Sequence, residues 1–169
     1  MRKLVYNVVL ALALGLIGIP ASAQVAGMGA NEQAQTPKER AEAATKVAID
    51  KLIKYAQTRN YEGMGKMSAY AGRDPNRTMK SKLNMADSFE RLECENTLNL
   101  IHNIVEKSVI WNPTNFRIVN AMNDKYYYWD VEFTDEKMKT TIWTMLFIEL
   151  KNEMLFARID KKGVVKTAQ

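Results

Sequence analysis

The chain has 169 residues, a formal net charge of +5 at pH 7 and a hydrophobic share of 47%, which suits one domain with a core of its own. Its single cysteine, Cys94, excludes an internal disulfide. Lys161-Lys162 is the one basic cluster past the first residues, so nucleic acid is not an expected partner. At the start, Arg2 and Lys3 precede an apolar run from Leu4 to Ile19, and Pro20-Ala21-Ser22-Ala23 offers a small-x-small cleavage site. That is the pattern of a secretory signal peptide; the run is short for a membrane span of about 20 residues. With no cysteine at the site, a lipid anchor is not expected. Cleavage after Ala23 would deliver a periplasmic or secreted protein, and loss of Arg2 and Lys3 would lower its net charge by two. Residues 24–35 are rich in Gly, Ala, Gln and Asn without periodicity and read as a disordered leader.

Thr36-Pro37-Lys38-Glu39 is a capping box with proline at the first helical position. The helix it opens is expected to reach Arg59, with Ala41, Ala44, Ala48, Leu52, Tyr55 and Ala56 on one stripe and Val47, Ile49 and Ile53 flanking it. A short helix from Glu62 to Tyr70 follows, weakened by Gly63 and Gly65. Asp87-Ser88-Phe89-Glu90 opens a third helix to about Ser108, with Cys94, Leu98, Ile101 and Val105 as its inner stripe. In that place Cys94 reads as a buried small hydrophobe. His102, the only histidine, falls on the flank of the stripe, and neither it nor Met64-x-x-Met67 has partners at metal-ligand spacing. No metal or other cofactor is expected.

Trp111-Asn112-Pro113 is read as the end of the helical part, and Phe116 to Met122 as a first strand. Lys125 to Asp160 is then an antiparallel meander with turns at Asp135–Met138 and Lys151–Asn152. The period of two puts Tyr127, Trp129, Val131 and Phe133 on one face. With four residues unpaired in the first turn, Val131 faces Ile142 and Tyr127 faces Leu146, and the second turn sets Leu146 beside Ala157 and Ile148 beside Leu155. The core face is then completed by Ile142, Leu146, Ile148, Leu155 and Ile159. The other face collects Tyr126, Tyr128, Asp130, Trp143, Met145, Phe147, Phe156 and Arg158, which is too apolar for a wetted surface. Something is expected to cover it. This assignment depends on turn length, because one residue more or less moves a whole strand to the other face.

Helices followed by four antiparallel strands make an α+β fold in which N-terminal helices pack on a curved sheet of at least four strands. The residues Asn60-Tyr61-Glu62, Tyr70-Ala71-Gly72-Arg73-Asp74, Tyr128-Trp129-Asp130-Val131 and the ending from Met154 to Asp160 resemble the nuclear transport factor 2-like superfamily, and more narrowly exported bacterial proteins of that shape. The resemblance covers Thr36 to Asp160 as a single domain and leaves residues 161–169 as a polar tail. It implies a cone with a cavity between sheet and helices, and often dimerisation through the outer face of the sheet. No catalytic residue of the family falls on a matching position, and fold alone does not carry function.

Two functions compete. The first is a non-enzymatic exported binding or assembly domain, homodimeric through Tyr126, Tyr128, Trp143, Met145, Phe147, Phe156 and Arg158. The second is a carrier of a small apolar molecule, or an isomerase- or dehydratase-like enzyme, using a cavity between the first helix and the sheet at Tyr55, His102, Tyr127 and Trp129. An envelope component as partner is a third, weaker expectation, suggested by the aromatic and arginine surface.

Overall fold

The computed structural model describes residues 35–70, 76–77, 81–121 and 123–165; the signal peptide expected at 1–23, and the leader before residue 35, lie outside them. Helix α1 runs Pro37–Thr58, α2 Tyr61–Met67 and α3 Ser88–Glu106. Each begins where a side chain meets a free backbone amide. The Thr36 hydroxyl accepts from the Glu39 N–H at 3.2 Å while the Glu39 carboxylate accepts from the Thr36 N–H at 2.7 Å. The Asn60 side chain accepts from the Gly63 N–H at 2.8 Å, and Asp87 accepts from Phe89 and Glu90. α1 ends on Arg59, in the left-handed region at φ 51. Gly63 lets α2 close on α1, since a methyl there would stand 2.7 Å from the Tyr55 ring.

Four strands follow, β1 Ser108–Ala121, β2 Asp124–Asp135, β3 Thr140–Leu150 and β4 Glu153–Val165, antiparallel in the order β1-β2-β3-β4. Beyond β4, Ser68 pairs in parallel with Phe156 and Ala69 pairs antiparallel with Lys82. β1 starts directly after α3, well before Phe116. Pro113 does not stop it, because the strand is an edge and its register shifts between Pro113 and Asn115, where a missing N–H is tolerated. β4 likewise continues through Lys161 to Val165, where a polar tail was expected.

The register between β2 and β3 differs from the expected one by a single residue. Val131 faces Trp143 and Tyr127 faces Phe147. The loop is a tight turn closed by the Met138 N–H on the Asp135 carbonyl and by the Asp135 N–H on the Lys139 carbonyl, with Met138 at φ 58. That is the three-residue hairpin with a left-handed third position, which leaves three residues in the loop where four were expected. The Asp135 carboxylate also accepts from the Lys137 and Lys139 amides. As a result Trp143, Met145 and Phe147 turn to the helices, while Ile142, Leu146 and Ile148 turn outward. The Lys151–Asn152 turn is as expected, both residues having positive φ, and Ile148 faces Leu155. A second shift between Leu146 and Phe147 leaves Leu146 opposite Arg158 rather than Ala157, so Phe156 and Ile159 both reach the inner face.

The main core joins Ala48, Ile49, Leu52, Met64, Leu98 and Ile101 of the helices to Tyr127, Trp129, Val131, Phe133, Met145, Phe147 and Phe156 of the sheet. On α1 the buried stripe is centred on Thr45 and Ala48, and Ala44 and Val47 are exposed. Thr45 is tolerated there because its hydroxyl donates to the Ala41 carbonyl at 2.7 Å. A second apolar cluster lies on the outer face, made of Ala69, Leu146, Ile148, Leu155 and Ala157 with Tyr126, Tyr128 and Leu150 against it.

Candidate functional site

The four residues expected around one cavity do not meet. Trp129 is buried, and its indole N–H donates to Thr45 Oγ1 at 2.8 Å. Tyr127 lies one turn nearer the start of α1, beside a hollow of about 330 Å³ lined by Arg40, Ala44, Lys125, Glu149 and Met154. Its hydroxyl donates to Glu149 at 3.0 Å. Burial first, and then that bond and the Glu149 charge, push its pKa up to about 12. His102 and Tyr55 are at the opposite end of α1. His102 Nδ1 is 2.9 Å from the Ala56 carbonyl, and Nε2 lies 3.2 and 2.9 Å from the Arg59 guanidinium nitrogens. Those partners fix the proton on Nδ1. The histidine thereby caps the end of α1 through its carbonyl and holds the left-handed Arg59. Ala41 and Ala56 are separated by about 20 Å of helix at 1.5 Å per residue. Tyr55, His102, Tyr127 and Trp129 are thus spread along α1 rather than gathered around one cavity.

The inner face is instead open along α3. Glu93, Thr97, Leu100, Ile104 and Lys107 recur at intervals of four and three, which places them on one flank of the helix, next to its buried stripe. Two hollows lie between this flank and the sheet, and they share Leu100. One, of about 310 Å³, has Met64, Leu83, Cys94, Phe156 and Ile159 among its walls. The other, of about 470 Å³, is formed by the last turns of α3 with Phe133, Trp143 and Thr141 and is rimmed by Lys107, Lys139 and Lys161. The register shift described above is what brings Trp143 here. Its ring is half-buried, with the Lys161 ammonium 6.0 Å from its centroid. None of the three lysines has an ion-pair partner among the described residues. Asp135, the one carboxylate in the same wall, is engaged by backbone amides. Burial raises the Cys94 thiol to about 11, with the Glu95 charge adding to it, so it is a wall of the hollow rather than a nucleophile.

The outer face corrects the expected interface. Trp143, Met145, Phe147 and Phe156 belong to the inner side, and Phe147 packs edge-on to Phe156 with ring centroids 5.8 Å apart. Tyr126 and Tyr128 do face outward, against the second cluster. Arg158 is exposed and pairs with Asp160 at 2.9 Å. Leu146, Ile148, Leu155 and Ala157 are no more than 8% exposed. The outer side is therefore apolar, as the sequence led one to expect, but with a different set of residues. Its centre holds Asp130, which the sequence placed on this face without its partners. Asp130, 3% exposed, accepts from Arg117 at 2.8 and 3.1 Å, from Asn115 at 3.0 Å, from Thr144 at 2.8 Å and from Lys162 at 2.7 Å. One carboxylate of β2 thus ties β1, β3 and β4 together.

Among the described residues no three His, Cys, Asp or Glu side chains are grouped as metal ligands, and no helix is long and apolar enough to cross a membrane. No family model and no curated protein matches the chain. Four solved chains match it. One of them, named Rd1NTF2_05 and carrying five substitutions, has a TM-score of 0.45 and 13% identity, over 73% of this chain and 99% of its own.

Proposed function

We propose that this is an exported, non-enzymatic binding domain of the nuclear transport factor 2-like kind, which holds a small apolar or amphiphilic molecule against the flank of α3. The observation that carries this reading is the pair of open hollows sharing Leu100, of about 310 and 470 Å³, in the size range of small-molecule sites. Trp143, Ile104 and Ile159 stand half-buried around them. The polar groups that an enzyme of this shape would use are committed elsewhere: Tyr127 to Glu149, Trp129 to Thr45 and His102 to Ala56 and Arg59. That favours holding a ligand over transforming one. The order of elements supports the superfamily, and Arg2, Lys3, the apolar run and Ala21-Ser22-Ala23 support export. A homodimer through Trp143, Phe147 and Phe156 loses its motive once those residues face the helices.

Titration with Nile red, a neutral apolar fluorophore, tests the reading. Saturable enhancement at one site is expected, abolished by Leu100→Glu at an exposed position that leaves the circular dichroism unchanged. Uptake that never saturates, or that is the same in the variant, would overturn it.

A further inference from the structure

We propose that the ligand of the α3 groove is an anionic single-chain amphiphile, with its charged head among Lys107, Lys139 and Lys161 and its tail laid over Leu100 toward Met64 and Leu83. This rests on the binding reading above and goes further by fixing the chemistry of the molecule.

The groove is chemically polarised. At the end of α3 three exposed lysines surround a single carboxylate, and that carboxylate is held in the Asp135 turn. Three lysines against one carboxylate that backbone amides already engage favour an anion. The lysines stand at one end only. Past Leu100 the wall carries the apolar Phe156, Ile159, Met64 and Leu83, beside Glu93 and Arg158, whose charges oppose each other. From Glu93 to Lys107 the helix flank extends about 21 Å at 1.5 Å per residue, long enough for an extended acyl chain rather than a compact metabolite. Between the two ends lies Trp143, an amphipathic ring that can cover the first part of a tail while Lys161 rides above it. The one cation beyond Leu100, Arg158, is paired with Asp160, and a neutral apolar molecule would leave the three ammonium groups unused.

The test is competition against Nile red at ligand concentrations below micelle formation, using palmitate, lysophosphatidate and the neutral monopalmitoylglycerol. Both anions share the proposed chemistry. Displacement by palmitate alone identifies a free fatty acid as the source, and displacement by lysophosphatidate alone a lipid phosphate head; either supports the proposal. The anion is expected to bind at least about tenfold more tightly than the glycerol ester, the ratio that one or two charge-assisted hydrogen bonds give. Added salt should reduce that ratio. The triple variant Lys107→Ala, Lys139→Ala, Lys161→Ala should lose the preference while Nile red still saturates. Equal binding of ester and anion, or a preference that survives in the triple variant, overturns the ligand class and leaves the binding site standing. Absence of any saturable Nile red site removes both.

Discussion

Asp130 shows how one side chain can hold a sheet in register. Burial alone would raise its pKa, but hydrogen bonds from Arg117 above all, then from Lys162, Thr144 and Asn115, outweigh it and hold the carboxyl well below the usual carboxylate range. Such a group stabilises the fold at every pH above its unfolded value of about 3.9, and that contribution is lost as pH falls from there toward the folded value, where the native state too takes up the proton. Asp130→Asn keeps the shape and removes the charge, leaving Arg117 and Lys162 facing an amide. Because those partners are 38% and 50% exposed, water compensates them in part, and a loss of about 1–3 kcal/mol at neutral pH is expected. Urea midpoints measured from pH 7 down to pH 2 should converge for the two proteins in acid. A gap that stays constant across that range would show that the Asp130 charge contributes nothing.

At the scale of elements, the β2–β3 connection decides which side chains reach the helices. Met138 occupies a left-handed position at φ 58 while 63% exposed. A side chain there costs about 1–2 kcal/mol against glycine, and a freer unfolded chain offsets part of the relief. Met138→Gly should therefore raise stability by about 0.5 kcal/mol, read as a higher urea midpoint with an unchanged slope; a lower midpoint would mean that the Met138 side chain does more than occupy the turn. The same loop explains what was legible beforehand. The Lys151–Asn152 turn could be read because asparagine accepts positive φ, and the capping residues Thr36 and Asp87 carry their chemistry in the sequence, whereas the cap at Asn60 was not read. No glycine marks the Asp135–Lys139 loop, so its length was invisible, and β3 was assigned to the wrong face as a unit. Ala157 hides a bulge in the same way, and Thr45 looks polar until the Ala41 carbonyl and the Trp129 indole are beside it. The groove was hidden for a further reason. Leu100 and Ile104 could be seen as a widening of the α3 stripe, but Lys107, Lys139 and Lys161 are brought together only by the tertiary fold.

For the molecule as a whole, the described residues belong to one compact unit, and its core leaves no element able to stand alone. Leu52 of α1, Met64 of α2, Leu98 of α3, Trp129 of β2, Phe147 of β3 and Phe156 of β4 belong to one cluster. Freeing the sheet would expose the apolar face of every helix, at about 25 cal/mol for each Å², and an isolated helix of α1's length is marginal in water. Unfolding should accordingly be a single cooperative step. Three probes report on different parts of it: backbone circular dichroism on helices and sheet together, tryptophan fluorescence on Trp111, Trp129 and Trp143 of the sheet, and thiol labelling on Cys94 under α3. Cys94 is 2% exposed and its thiol is held protonated to about pH 11, so labelling at neutral pH has to wait for the structure to open. The three urea transitions should coincide, and a ligand in the groove should move all three upward together. Labelling of Cys94 ahead of the fluorescence change would mean that α3 lifts from the sheet on its own. The groove would then be a hinge rather than a rigid wall.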